Sequence, residues 1–118
     1  MITMKKIDQK TVELDYEGEI TGEDYKRVMP KIEEEMEDVG KVKFLIDLTA
    51  AREVTVGAAL RDLKFALVHF SKIGATAVVA SKKTWEIYTK AVNAVFPEKI
   101  HYFEDMAPAR SWLKEQAV

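Results

Sequence analysis

The stretch that decides the fold is ATAVVA, residues 75–80, in which every residue except Thr76 is small or aliphatic. A short run that is apolar at odd and even positions alike predicts a strand covered on both faces, which is typical of an inner parallel strand. Ser81 follows directly and is predicted to cap the next helix. The chain is therefore expected to fold as an α/β domain around this strand.

The residues before this run predict a strand and a helix. Val42–Leu48 is predicted to be another inner strand, and 56–73 a long helix that Gly74 ends. The main apolar stripe of that helix comprises Val56, Ala59, Leu60, Leu63, Ala66, Leu67 and Phe70. A strand, a helix and a second strand in this order favour a right-handed crossover between parallel strands.

The N-terminal part of the chain predicts a hairpin and a helix. Residues 12–20 alternate between apolar and acidic side chains, which predicts a strand with one buried face and one face in water. Residues 4–7 are predicted to pair with it in an antiparallel hairpin. Thr21 and Asp24 then form a capping-box pattern before a helix that reaches Gly40, and Pro30 is expected to kink or shorten it.

The C-terminal part predicts a third helix, a last strand over Ile100–Phe103 and a final helix capped by Asp105. The whole chain is thus expected to form one α/β domain, residues 1–118. Its mixed sheet has about five strands, an N-terminal antiparallel hairpin followed by parallel βαβ units. About four helices lie mainly on one face of the sheet.

Composition excludes several function classes. The 118 residues contain no cysteine, which removes thiol nucleophiles, disulfides and thiolate metal sites. The net charge is -2 with both signs interspersed, so nucleic-acid binding has no electrostatic support. No apolar run is long enough to span a bilayer, and no signal peptide is recognised, so a cytoplasmic location is expected.

The two histidines do not predict catalysis. His69 has no serine at helical spacing to activate, and His101 stands alone in the last predicted strand. Their separation is not a metal-binding spacing, and the glycines form no phosphate-binding run. We therefore expect no catalytic residue, no metal and no cofactor, and a protein that is not an enzyme.

An ordered set of motifs resembles the SpoIIAA-like family, which is related to STAS domains. The resemblance implies the fold predicted above and a regulatory or ligand-binding role. It rests on 18–25 (GEITGEDY), 40–49 (GKVKFLIDLT), 62–67 with His69, 77–83 before Trp85, and 102–103 with 109–113.

The resemblance also singles out one loop. Anti-sigma-factor antagonists of the STAS type carry a phosphorylatable serine there, and the matching residues here are Asp47, Thr49, Thr55, Val56 and Gly57. The acceptor position falls on Val56, which has no hydroxyl, and Thr55 is expected to cap the following helix. Asp47 is expected to brace the loop, although ligands often bind at such a strand end.

Three hypotheses about function follow. The first is a binding site for a small apolar or lipid-like ligand between the second and third helices, at Leu60, Lys64, Phe65, Trp85 and Phe96. Phe65 lies off the main apolar stripe, and the family resembles CRAL-TRIO lipid carriers. The second is a protein-interaction module, with a homodimer expected. The third is an engineered enzyme on this scaffold.

Overall fold

The computed structural model describes residues 1–55, 58, 61–62, 64–65, 68–88 and 100–117, with the backbone alone at 54, 70, 85, 87 and 88. The strands are β1 (Ile2–Asp8), β2 (Thr11–Ile20), β3 (Val42–Val54), β4 (Ile73–Val79) and β5 (Ile100–Phe103). The continuous helices are α1 (Gly22–Val39), α2 (Lys82–Tyr88) and α3 (Met106–Glu115). The described residues between 58 and 68 are also helical, and this stretch is called segment 58–68.

The five strands form one sheet in the order β1-β2-β3-β4-β5. β1 and β2 are antiparallel, and each later neighbour is parallel to the strand before it. The predicted mixed sheet, with its N-terminal hairpin and its parallel βαβ units, is confirmed. About four helices were predicted. The described residues form three continuous helices, and segment 58–68 contributes further helical residues.

The helices occupy both faces of the sheet. On one face, α1 contributes Tyr25, Val28, Ile32 and Met36 to the larger core cluster. Ala58 of segment 58–68 belongs to the same cluster, and Phe65 packs against it. On the other face, α3 forms a smaller core cluster with the sheet, made of Leu45, Ala77, Val79, Ala109 and Leu113. The sheet is therefore covered on two sides, and its central strands are buried on both.

Helix α1 begins at the capping box that the sequence predicts. The backbone N–H and the hydroxyl of Thr21 both donate to Asp24 Oδ2, at 2.8 and 3.1 Å. Pro30 does not end the helix, which continues to Val39. Pro30 is exposed, so water can reach the carbonyl that loses its backbone donor.

Strand β3 is longer than predicted, because it continues past Leu48 to Val54. Its second half pairs with the end of β2, where Glu17 lies opposite Ala50 and Ile20 opposite Val54. Those residues were expected to form a loop, and that prediction was wrong. The neighbouring strand satisfies their backbone groups, a contact that local residue types do not reveal.

Gly74 was predicted to end a helix, but it lies inside β4. The helical region closes earlier, in a 3₁₀ turn over Phe70–Lys72. A side-chain Cβ at Gly74 would lie 3.1 Å from the carbonyl oxygen of Val42 on β3. The glycine therefore allows β4 to approach β3 closely, and it does not terminate a helix.

One acidic side chain of β2 lies in the interior, not in water as expected. The Glu13 side chain is only 6% exposed, and its carboxylate accepts a bond of 3.2 Å from Arg110 on α3. Burial and a hydrogen bond with Asp15 raise the pKa of Glu13, while Arg110 opposes them. The alternation correctly predicts which side chains of β2 share a face. Helix α3, however, covers Glu13 on the polar face.

Candidate functional site

A cleft of about 380 Å³ opens at the carboxyl ends of β4 and β5, beside β3. Ligands of open α/β sheets bind preferentially at this edge. The lining residues come from three parts of the chain and are Leu48, Thr49, Ala80, Ser81, Lys82, Thr84 and Glu104. Parallel pairing brings them together, because Val79 lies opposite Phe103 and both strands end there.

The cleft has an apolar floor and a polar rim. Leu48 and Ala80 are buried, whereas Thr49, Ser81 and Lys82 are exposed. The rim presents hydroxyl groups, one ammonium group and, from Glu104, one carboxylate. Such a surface can orient a ligand through hydrogen bonds while the floor contacts its apolar part.

Several rim groups are held in place by short-range bonds. Ser81 Oγ accepts a bond of 3.2 Å from the Thr84 N–H, and its own hydroxyl lies 3.0 Å from Thr84 Oγ1. The hydroxyl of Tyr102 donates to Glu104 Oε1 at 3.3 Å. Among the described residues that line the cleft there is no histidine, so this lining offers the hydroxyls no imidazole base.

Asp47 and Thr49 are joined by two hydrogen bonds within β3, at the edge of the cleft. Asp47 Oδ1 accepts from the backbone N–H of Thr49 at 2.9 Å and from its hydroxyl at 2.6 Å. The carboxylate thus fixes the backbone of a cleft residue. This is the bond pattern of a bracing carboxylate, and it orients the Thr49 hydroxyl toward Asp47.

Thr55 lies three residues before the first described residue of segment 58–68. Its Oγ1 accepts from the backbone N–H of Ala58 at 3.2 Å, and its own N–H donates to the Ile20 carbonyl at 2.9 Å. The hydroxyl therefore acts as a helix cap. Val56 and Gly57, the other predicted members of this loop, lie outside the described residues.

We expect Thr49 and Thr55 to carry no phosphate in the native host. Each hydroxyl already has a structural hydrogen-bond partner, and the position that matches the usual acceptor is Val56. Intact-mass and phosphopeptide spectrometry of protein isolated from that host measures this directly. Stoichiometric phosphate on either threonine would contradict the prediction.

The predicted apolar ligand site is only partly described. Lys64 is exposed, and Phe65 is half-buried and packs against the larger core cluster. The side chain of Trp85 is not described, and Leu60 and Phe96 lie outside the described residues. The apolar site therefore stays a prediction.

Sequence reasoning missed most of the cleft. Ser81 was recognised as a helix cap, but nothing local connects it with Glu104, which lies far along the chain. The available signal was the parallel pairing of the two apolar strands 75–80 and 100–103. Residues just after such strands meet at one edge of the sheet.

The strand order, the antiparallel hairpin and the helices on both faces define an α/β domain with a mixed five-stranded sheet. The SpoIIAA-like family matches residues 11–114, and the chain belongs to that family. No curated protein matches the sequence. In the part of the chain that the structure describes, no helix is long and apolar enough to cross a bilayer.

Solved structures support the same fold. An uncharacterized protein with a SpoIIAA-like fold from Shewanella loihica PV-4 is 26% identical, with 96% of this chain and 92% of that chain covered and a TM-score of 0.78. The unphosphorylated anti-sigma factor antagonist SpoIIAA is 12% identical over 98% and 100%, with a TM-score of 0.67. The phosphorylated Bacillus cell fate determinant SpoIIAA is 13% identical over 94% and 99%, with a TM-score of 0.62.

Proposed function

We propose that this chain is a non-catalytic, regulatory binding module that holds a small polar ligand in the cleft at the carboxyl edge of its sheet. The observation that carries the proposal is the cleft itself, with its buried floor of Leu48 and Ala80 and its rim of hydroxyl and charged groups. Its volume of about 380 Å³ is that of a site for a small molecule.

The arrangement supports binding better than catalysis. Acid–base or nucleophilic chemistry needs a nucleophile next to a base that a third group orients. The Ser81 hydroxyl instead pairs with Thr84, and the Thr49 hydroxyl pairs with Asp47. These bonds fix the rim in one arrangement, which favours orientation of a bound molecule.

The apolar or lipid-like ligand predicted near Lys64 and Phe65 remains a separate proposal. Protein interaction is a second candidate function, favoured by the likeness to a protein that is named an anti-sigma factor antagonist. A homodimer is part of that candidate. The exposed side chain of Val68, which is 67% accessible to solvent on segment 58–68, gives it a surface.

Thr49→Arg is expected to fill the cleft and to abolish binding of small polar probes. Thr49 is exposed on the cleft wall, so a longer cation there occupies the space without entering the core. The measurement is NMR titration of amide shifts with ribose and glycerol, neutral polar probes that the introduced cation does not attract. Shifts are expected at Thr49, Ser81, Lys82 and Glu104 in the parent and not in the variant.

The matched control is Thr3→Arg, an exposed threonine on β1 that lies on the opposite edge of the sheet. This variant should bind the probes as the parent does. Probe shifts scattered over the surface, or shifts that persist in Thr49→Arg, would count against the cleft as the binding site.

A further inference from the structure

The cleft at the carboxyl edge of the sheet carries one cation and one anion on separate walls. Lys82 is the first residue of α2, and Glu104 follows the last residue of β5 directly. Both residues are exposed, and both line the cleft. Two segments that are distant along the chain therefore bring opposite charges to one space.

These two charges are not neutralised by each other. Among the residues that the structure describes, no ion pair joins Lys82 to Glu104, and neither side chain pairs with another charged group. Glu104 is instead positioned by a neutral group, because the Tyr102 hydroxyl donates to its Oε1 at 3.3 Å. That bond orients the carboxylate and leaves its negative charge in place. The cleft thus offers a ligand both a positive and a negative partner.

The wall formed by the start of α2 offers hydrogen-bond donors. The Ser81 hydroxyl donates to Thr84 Oγ1 at 3.0 Å, and Ser81 Oγ accepts from the Thr84 N–H at 3.2 Å. Each hydroxyl has one proton to donate. Since Thr84 Oγ1 is the acceptor of its bond with Ser81, its own proton can be donated to a ligand. Lys82 adds an ammonium group to the same wall.

The walls formed by the ends of β3 and β5 offer acceptors. The Thr49 hydroxyl donates its proton to Asp47 Oδ1 at 2.6 Å, so its oxygen faces a ligand as an acceptor. The Glu104 carboxylate is an acceptor that also carries charge. Donors with a positive charge therefore lie on one wall of the cleft, and acceptors with a negative charge lie on the others.

We propose that the cleft binds a zwitterionic α-amino acid. Its carboxylate contacts Lys82 and Thr84, its ammonium contacts Glu104, and its side chain rests on the apolar floor of Leu48 and Ala80. The volume of about 380 Å³ lies near the lower end of the range for small-molecule sites, roughly 300–1,000 Å³. This inference rests on the proposed function, because it names the chemical class of the small polar ligand.

Ligands with a single charge suit the cleft less well. A simple carboxylate pairs with Lys82 but brings a second negative charge toward Glu104, and a simple amine does the reverse. A site that offers a polar partner discriminates strongly against an analogue that lacks the matching group. A ligand with both charges on neighbouring atoms satisfies both walls at once.

The test is NMR titration of the parent at pH 7 with L-alanine, propionate and ethylamine. Propionate lacks the ammonium group of alanine, and ethylamine lacks its carboxylate. Alanine should shift the amides of Ser81, Lys82 and Glu104, with a dissociation constant lower than that of either analogue by roughly tenfold or more, the effect of one hydrogen bond to a charged group.

Equal constants for the three probes would overturn the inference. The proposed function would still stand in that case if ribose or glycerol shifted the amides of the cleft. An absence of shifts in the cleft with every probe, neutral or charged, would instead overturn both the inference and the proposed function.

A charge exchange provides the second test. Lys82→Glu alone and Glu104→Lys alone each place two like charges in the cleft, so each should lower the preference for alanine over its analogues. The two changes combined should restore that preference, because alanine can bind in the reverse orientation. The control is Lys83→Glu, an equal change of net charge at an exposed residue that is not among those lining the cleft, and it should leave the preference unchanged. A combined variant that binds alanine no better than the single ones would overturn the inference.

Discussion

Leu45→Ala is expected to lower the free energy of unfolding by about 2–5 kcal/mol, the range for a buried leucine truncated to alanine. Leu45 is fully buried on β3, beneath α3, in the smaller core cluster. Two other members of that cluster, Ala77 and Ala109, are already small. The surroundings therefore have little side-chain volume with which to fill the cavity, which favours the upper half of the range.

Urea unfolding followed by circular dichroism measures this loss as a shift of the midpoint at constant slope. The control is Ile7→Ala, which removes an aliphatic side chain that is 48% exposed on β1. That change should cost about 0.5 kcal/mol or less, as surface substitutions usually do. Equal losses in the two variants would contradict the assigned core.

Features that depend on neighbours in sequence were predictable. The capping box of Thr21 and Asp24 and the cap at Thr55 form as expected, because each joins groups three residues apart. The strands were found for the same reason, since alternation and apolar runs are local signals. The sheet order then followed from short, right-handed connections.

Features that depend on distant neighbours were not predictable. From the local sequence alone, Gly74 resembles the end of a helix. Its place in β4 is explained by the nearby carbonyl of Val42 on the neighbouring strand β3. Glu13 looks like a surface residue until Arg110 and α3 cover it. The length of β3 likewise depends on the register of β2, not on residues 49–54 themselves.

The candidate site likewise contains some residues that the sequence predicted and others that it did not. Asp47 and Thr49 were singled out from the sequence as loop residues; they lie in β3, where Thr49 lines the cleft and Asp47 accepts its hydrogen bonds. The other wall comes from Ser81 to Thr84 and from Glu104, which belong to segments separated along the chain. Apolar helix residues suggest a pocket and a packed core equally well, so the sequence alone does not decide between these.

Lys43→Met is expected to weaken the docking of α3 by about 1.5–3 kcal/mol, the usual value of hydrogen bonds made by a charged group. Lys43 is only 7% exposed, and its ammonium donates to the carbonyls of Leu113 at 2.9 Å and Gln116 at 3.1 Å. These carbonyls lie at the C-terminal end of α3, where the helix dipole also favours a cation. Methionine matches the aliphatic length of lysine and offers no donor.

The loss of stability in Lys43→Met should be confined to α3, and this distinguishes it from the loss in Leu45→Ala. Lys43 joins β3 to the end of a helix about seventy residues later, and Arg110 with Glu13 provides a second polar contact between α3 and the sheet. Exchange in 106–115 should therefore rise strongly in Lys43→Met, while β2 and β3 stay protected by the larger core cluster. Lys41→Met, at an exposed lysine two residues earlier, should leave α3 unchanged. Unaltered exchange in α3 of Lys43→Met would show that the apolar contacts of Leu113 and Ala109 alone hold the helix in place.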